Sequence, residues 1–169
     1  ILRCLVGSEM CIRDRVSSDH APYSFDEKGK FFMGNNPSFK EIPNGMPGLH
    51  WRLPIILNEV LKKQCNLDLH DFVRITSTMP AKIYGLYPKK GEIKIGSDAD
   101  ITIWNKDKKV TLTDDMVVDG SKYNPYSGFE VSCWPEEVLL RGHTIVKNNN
   151  IMGKQNIGKF LPTKLSDYI

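Results

Sequence analysis

The sequence contains no apolar run approaching the ~18 residues that a bilayer-spanning helix needs, so no such helix is expected. Charge of one sign is also lacking. The chain has 23 basic and 20 acidic residues, a net charge of +3 over 169 residues, which is too balanced to suggest nucleic acid as a partner. There are only four cysteines (Cys4, Cys11, Cys65 and Cys133) and no C-x-x-C pair, which excludes a small disulfide-framed scaffold and fits reduced thiols in a cytoplasmic setting. The sequence has no phosphate-cradling G-x-x-x-x-G-K-[ST], no nucleophile elbow G-x-S-x-G and no H-E-x-x-H, so serine-nucleophile chemistry has no foothold. Repeats and low-complexity tracts are absent as well. The remainder, 40% hydrophobic and 25% charged with 13 Gly and 10 Pro, is the composition of an ordinary globular domain.

The opening residues have a different character. Leu5 to Asp14, L-V-G-S-E-M-C-I-R-D, resembles the in-frame translation of a transposon-type sequencing adapter. Residues 1–15 are therefore expected to be non-native, with the chain forming the back end of a longer protein. The segment lacks the apolar core and small-residue cleavage site of a secretion signal.

Beyond that, Val16 to Ser18 reads as the end of a strand, and Asp19 to Gly48 as a long loop rich in Gly, Pro and Asn. Loops of that length inside a domain are often functional. Leu49, Leu53, Ile56, Leu57 and Val60 share one face of a 3.6-residue period and predict a helix from Leu49, with Pro47 at its start. Pro54 conflicts with that start, because a proline beyond the first turn removes a backbone bond and kinks the helix. Asp68 predicts the N-cap of a second helix. Thr78 before Pro80 predicts the cap of a third, which stops at Gly85. From Tyr87 onward short β-branched runs predict strands at Gly91–Ile95, Asp100–Trp104, Lys109–Thr113, Glu137–Arg141 and His143–Lys147. Helices followed by strands suggest two units, with a border near Tyr87 to Lys90.

Three places could carry chemistry. In S-S-D-H-A-P, Ser17 to Pro22, a strand ending in Asp19 would present a carboxylate able to bind a metal and carry a proton; the same residue could equally brace a turn. His20 should point away from Asp19, since adjacent strand residues face opposite sides. It reads either as a support behind the metal ligands or as a histidine bonded to backbone. In I-P-N-G-M-P-G, Ile42 to Gly48, the Asn44-Gly45 turn would leave backbone N–H and C=O groups facing outward for a ring with adjacent amide groups, or it could be an ordinary turn before a helix. His50, His70 and His143 lack ligand spacing and read as structural. The lysines around K-K-G-E-I-K read as a solvated face, because no aromatic residues interleave with them.

The order of these pieces carries a resemblance. S-S-D-H-A-P, I-P-N-G-M-P-G, R-L-P, T-S-T-M-P-A-K-I-Y-G-L-Y-P-K-K-G, I-G-S-D-A-D, Y-N-P-Y-S-G and W-P-E-E-V-L-L-R-G, in that sequence from Val16 to Leu161, closely resemble the C-terminal part of the hydantoinase/dihydropyrimidinase family of cyclic amidohydrolases. The resemblance implies an α/β fold: the C-terminal part of a (β/α)8 TIM-type barrel plus part of a small β-sandwich. The implied division is the last barrel strand and helices at 16–86, sandwich at 87–152 and a tail at 153–169. It also implies hydrolysis of dihydropyrimidines or 5-substituted hydantoins to N-carbamoyl amino acids, with two zinc ions bridged by a carboxylated lysine that lies outside this chain. Asp19 matches the family's metal-binding, proton-transferring aspartate, and Asn44 its substrate-binding asparagine. A homotetramer or homodimer contact through the C-terminal region is implied, with neither membrane nor nucleic acid as partner. This chain departs from the pattern at Ala21, where many hydantoinases carry Cys, and at Tyr23, where the dihydroorotase pattern carries His. Dihydroorotase, allantoinase and a non-catalytic scaffold of the same fold remain as alternatives.

Overall fold

In the computed structural model the described residues are 15–153 and 156–166; the adapter-like residues 1–14, with Cys4 and Cys11, lie outside them. The Asp19–Gly48 segment is an irregular loop, as its composition suggests. Helix α1, Arg52–Leu61, starts three residues later than the apolar period indicates. That shift resolves the proline conflict. Pro54 now falls in the first turn, where backbone N–H groups have no partner inside the helix, so its missing donor costs nothing. Ile56, Leu57 and Val60 form the buried face.

Helix α2, Leu69–Val73, begins at Asp68 as expected: the Asp68 carboxylate accepts the Asp71 N–H at 2.8 Å, and the Asp71 carboxylate accepts the Asp68 N–H at 3.3 Å. The predicted third helix is not separate. A π-helical turn, Arg74–Thr78, joins α2 directly to α3, Met79–Ile83. The cause is Pro80, which has no N–H to give and whose ring crowds the carbonyl four residues earlier, so the chain widens by one residue per turn. Thr78 is helical and does not cap; its hydroxyl donates to the Gly91 carbonyl at 2.6 Å. The stop at Gly85 is as expected. With Gly85 at φ +66°, Leu86 N–H donates to the Ala81 carbonyl at 2.8 Å and Gly85 N–H to the Lys82 carbonyl at 3.1 Å.

Downstream lie β1 (Ile101–Asn105), β2 (Val110–Thr111), a 3-10 turn at Asp114–Met116, β3 (Glu130–Val131), β4 (Trp134–Leu140), β5 (His143–Lys147) and β6 (Asn150–Ile151). An antiparallel sheet runs in the order β1-β4-β5-β6, and β2 pairs with β3. Two-residue turns connect its last three strands. Arg141-Gly142 and Asn148-Asn149 all have positive φ, the backbone that matches strand twist. The strand expected at Gly91–Ile95 is instead a run of bends with Ile93 and Ile95 exposed. A strand exists only through a neighbour's backbone bonds, and this segment has none among the described residues. Val16–Ser18 likewise forms no strand there.

Two buried clusters unite the early and late parts of the chain. Ile56, Leu57, Val60 and Phe72 pack with Cys133, and Trp51 packs with Leu112, Val131 and Trp134. Asn58, fully buried, ties helix to sheet side: its Oδ1 accepts the Ser132 N–H at 2.9 Å and the Ser132 hydroxyl at 3.1 Å. The C-terminal segment returns to α3, where Lys164 N–H donates to the Gly85 carbonyl at 3.0 Å. Among the described residues no helix is long and apolar enough to cross a membrane.

Candidate functional site

Asp19 is exposed and sits at φ +46°, a left-handed conformation that aspartate tolerates better than most residues. Its carboxylate has no hydrogen-bond or ion-pair partner among the described residues.

The Asn44 turn lies beside it. His20 and Met46 pair as a single parallel bridge, with Ala21 N–H donating to the Met46 carbonyl at 3.1 Å. Gly45, at φ +91°, has room for no side chain: an added Cβ would stand 2.5 Å from that of Ala21. Asn44 itself is exposed. Among the described residues its backbone N–H and C=O have no partner, while the flanking Pro43 and Gly45 carbonyls both accept from the Lys30 ammonium. The two residues singled out from sequence, Asp19 and Asn44, are therefore brought together.

His20 has a defined orientation. Its Nδ1 accepts the Gly48 N–H at 3.1 Å and, more weakly, the Leu49 N–H at 3.4 Å, which leaves the proton on Nε2. Nε2 faces Asp119 Oδ2 at 3.6 Å. His50 completes the group: its Nε2 accepts the Val118 N–H at 3.4 Å, its Nδ1 lies 3.8 Å from the same Asp119 oxygen, and its ring stacks on Trp51 at 5.3 Å. Asp119 Oδ1 accepts both the backbone N–H of Ser121, at 2.8 Å, and its hydroxyl. Burial raises the Asp119 pKa, but the two Ser121 bonds and the neighbouring imidazoles outweigh it and hold the carboxyl below its ordinary value.

Sequence reasoning passed over Lys30 and Asp119, and read His50 as structural without naming its partners. Lys30 reaches the Pro43 and Gly45 carbonyls, and Asp119 approaches His20 and His50 from far along the chain, so neither sits in a recognisable local pattern. His70 is exposed, and His143 opens β5, both in keeping with a structural reading.

A carboxylate oxygen is a suitable donor for a divalent cation, and Asp19 offers two without a partner among the described residues. Among the described residues no three His, Cys, Asp or Glu side chains are grouped to hold a metal, so Asp19 would be one member of a ligand set drawn from elsewhere.

The amidohydrolase family matches residues 10–145, most of the chain, and the chain belongs to that family. Within it the similarity is to hydantoinases and dihydropyrimidinases. D-hydantoinase of Ralstonia pickettii is 38% identical over 148 residues, 88% of this chain and 31% of that protein. Dihydropyrimidinase 2 of Caenorhabditis elegans is 37% identical over 162 residues, 96% of this chain and 30% of that protein. A solved D-hydantoinase structure superposes with a TM-score of 0.81 at 36% identity, covering 90% of this chain and 32% of that one. A D-hydantoinase (dihydropyrimidinase) from Thermus sp. gives 0.80 at 31% identity, with 90% and 32% covered. The chain spans about a third of the length of the curated relatives it matches.

Proposed function

We propose that the longer protein carrying this chain is a metal-dependent cyclic amidohydrolase that opens dihydropyrimidines or 5-substituted hydantoins to N-carbamoyl amino acids. On this reading residues 16–86 supply the last strand and helices of the barrel, and 87–152 the C-terminal part of the sandwich. The observation that carries it is the pairing just described: a carboxylate without a partner among the described residues, held by one bridge to a turn whose central backbone N–H and C=O are likewise unpaired among them.

Two zinc ions, bridged by a carboxylated lysine from outside this chain, are the proposed metal complement. When bound, such a pair supplies an activated water near neutral pH. Asp19 serves as one ligand and, during ring opening, as the proton carrier. It takes the proton released as water attacks the ring carbonyl, then delivers it to the departing amide nitrogen, which would otherwise leave as a strongly basic anion. Proton transfer of this kind contributes about 10²–10⁴ in rate. Asn44 holds the ring through its two backbone groups, its N–H donating to a ring carbonyl and its C=O accepting a ring N–H. His20 keeps the segment that follows Asp19 in place through Gly48 and Asp119.

The 169-residue chain cannot supply the remaining ligands under this reading and is inactive alone. Ring opening of dihydrouracil in the presence of zinc is the test. The full-length protein should produce N-carbamoyl-β-alanine while this chain gives no more than a buffer blank. Turnover by the isolated chain, or none by the full-length protein, would refute the reading.

A further inference from the structure

Lys30 is an unusual residue in this neighbourhood. It is buried, 8% exposed, yet no carboxylate pairs with it among the described residues. A desolvated ammonium is costly unless its donors are satisfied. Here it donates to the carbonyls of Pro43 and Gly45, while the Tyr23 ring lies 5.3 Å from Nζ. Cation–π attraction and two carbonyl dipoles take the place of a counter-ion.

The two carbonyls are those on either side of Asn44. Drawing both toward one ammonium turns the flanking peptide oxygens inward and leaves the Asn44 carbonyl directed elsewhere, with no partner among the described residues. There is also an electronic effect. The Pro43 carbonyl and the Asn44 N–H belong to one peptide group, so a charge-assisted bond at its oxygen polarises the group and makes the N–H a stronger donor.

We infer that Lys30 is a positioning residue for substrate: its ammonium clamps the carbonyls of Pro43 and Gly45 so that the Asn44 backbone stands ready, with a strengthened N–H, for the carbonyl of a cyclic amide or imide. This rests on the reading of Asn44 as the ring contact. It predicts that Lys30 acts on ring binding, while Asp19 acts on proton transfer.

The test uses the full-length, zinc-loaded protein and compares Lys30→Met, which keeps length and loses the charge, with Lys30→Arg, which keeps the charge. The readouts are kcat and KM for dihydrouracil, bound zinc, and calorimetric affinity for succinimide, an imide probe that binds without needing the proton-transfer step. Lys30→Met should raise KM and weaken succinimide binding by about tenfold or more, with kcat and zinc content close to unchanged. Lys30→Arg should recover part of the loss. Unchanged KM and succinimide affinity in Lys30→Met overturns the inference, as does a fall in kcat and zinc content without a change in affinity, which would make Lys30 a plain brace. If Lys30→Met does not fold, Lys30→Gln, which keeps an N–H donor group without charge, is held to the same criterion. An unmodified protein that binds succinimide but opens no ring defeats the activity reading alone, and Lys30 is then judged on affinity. One that binds no imide defeats both.

Discussion

Ala21 donates its backbone N–H to the Met46 carbonyl at 3.1 Å, and through that bond the carboxylate of Asp19 and the turn at Asn44 share one register. The bond leaves no space between the two segments. Gly45 must stay without a side chain because the Ala21 methyl occupies the volume a Cβ would take. Gly45→Ala is therefore expected to strain a left-handed position and push the turn away from Asp19, at a cost of about 1–3 kcal/mol. Thermal unfolding and KM on the full-length protein check this; KM should rise along with the loss of stability.

Asp19 should behave in the opposite way. Its carboxylate touches nothing that holds the fold among the described residues. Asp19→Asn, which keeps a side chain that tolerates the left-handed backbone, is expected to leave the fold in place while lowering turnover by about 10²-fold or more and reducing bound metal. Measuring melting, zinc content and kcat on the same preparation separates these effects.

The Asp119 carboxyl is expected to show in acid unfolding. Its pKa in the folded protein lies below the ordinary 3.8, so the folded state binds fewer protons than the unfolded state there. Its contribution is in place above about pH 4 and fades as pH falls through the lowered value. Asp119→Asn should weaken the pH dependence of stability in that acid window and leave it unaltered near neutrality. Chemical denaturation at a series of pH values gives the slope.

Cys133 is fully buried, and burial pushes its thiol up to about 11 from an ordinary 9.0. A thiol reagent at pH 8 should modify Cys65, which is partly exposed, well before Cys133, with the site located by peptide mapping. Because the folded pKa is the higher one, this group's stabilising contribution is complete below pH 9 and is lost as pH rises toward 11. Rapid labelling of Cys133 in the native state would contradict the packing described.

Local chemistry made much of the chain legible. Asp68 announced a helix start as a capping residue type, Gly85 announced a stop, and β5 was found at its full extent. Features that depend on distant partners were not legible. The apolar period placed Leu49 in α1, but periodicity does not show which residue first gains helical bonds. Ile93 and Ile95 have strand character without a neighbouring strand to pair with among the described residues. The π turn was hidden because a proline marks trouble without saying whether the helix breaks or widens. At the site, Asp19 and Asn44 could be singled out by motif, whereas the hold of Lys30 on Pro43 and Gly45 and the approach of Asp119 to His20 exist only once the loop has folded.

Trp51 follows the Asn44 turn almost immediately and is seated on Leu112, Val131 and Trp134. The loop that presents Asp19 and Asn44 thus takes its anchorage from strands made much later in synthesis. Contacts so distant along the chain form slowly, because a long loop must close before any reward arrives. As the ribosome releases this segment, the loop should stay unanchored until the residues through Trp134 have emerged, so its shape is set late.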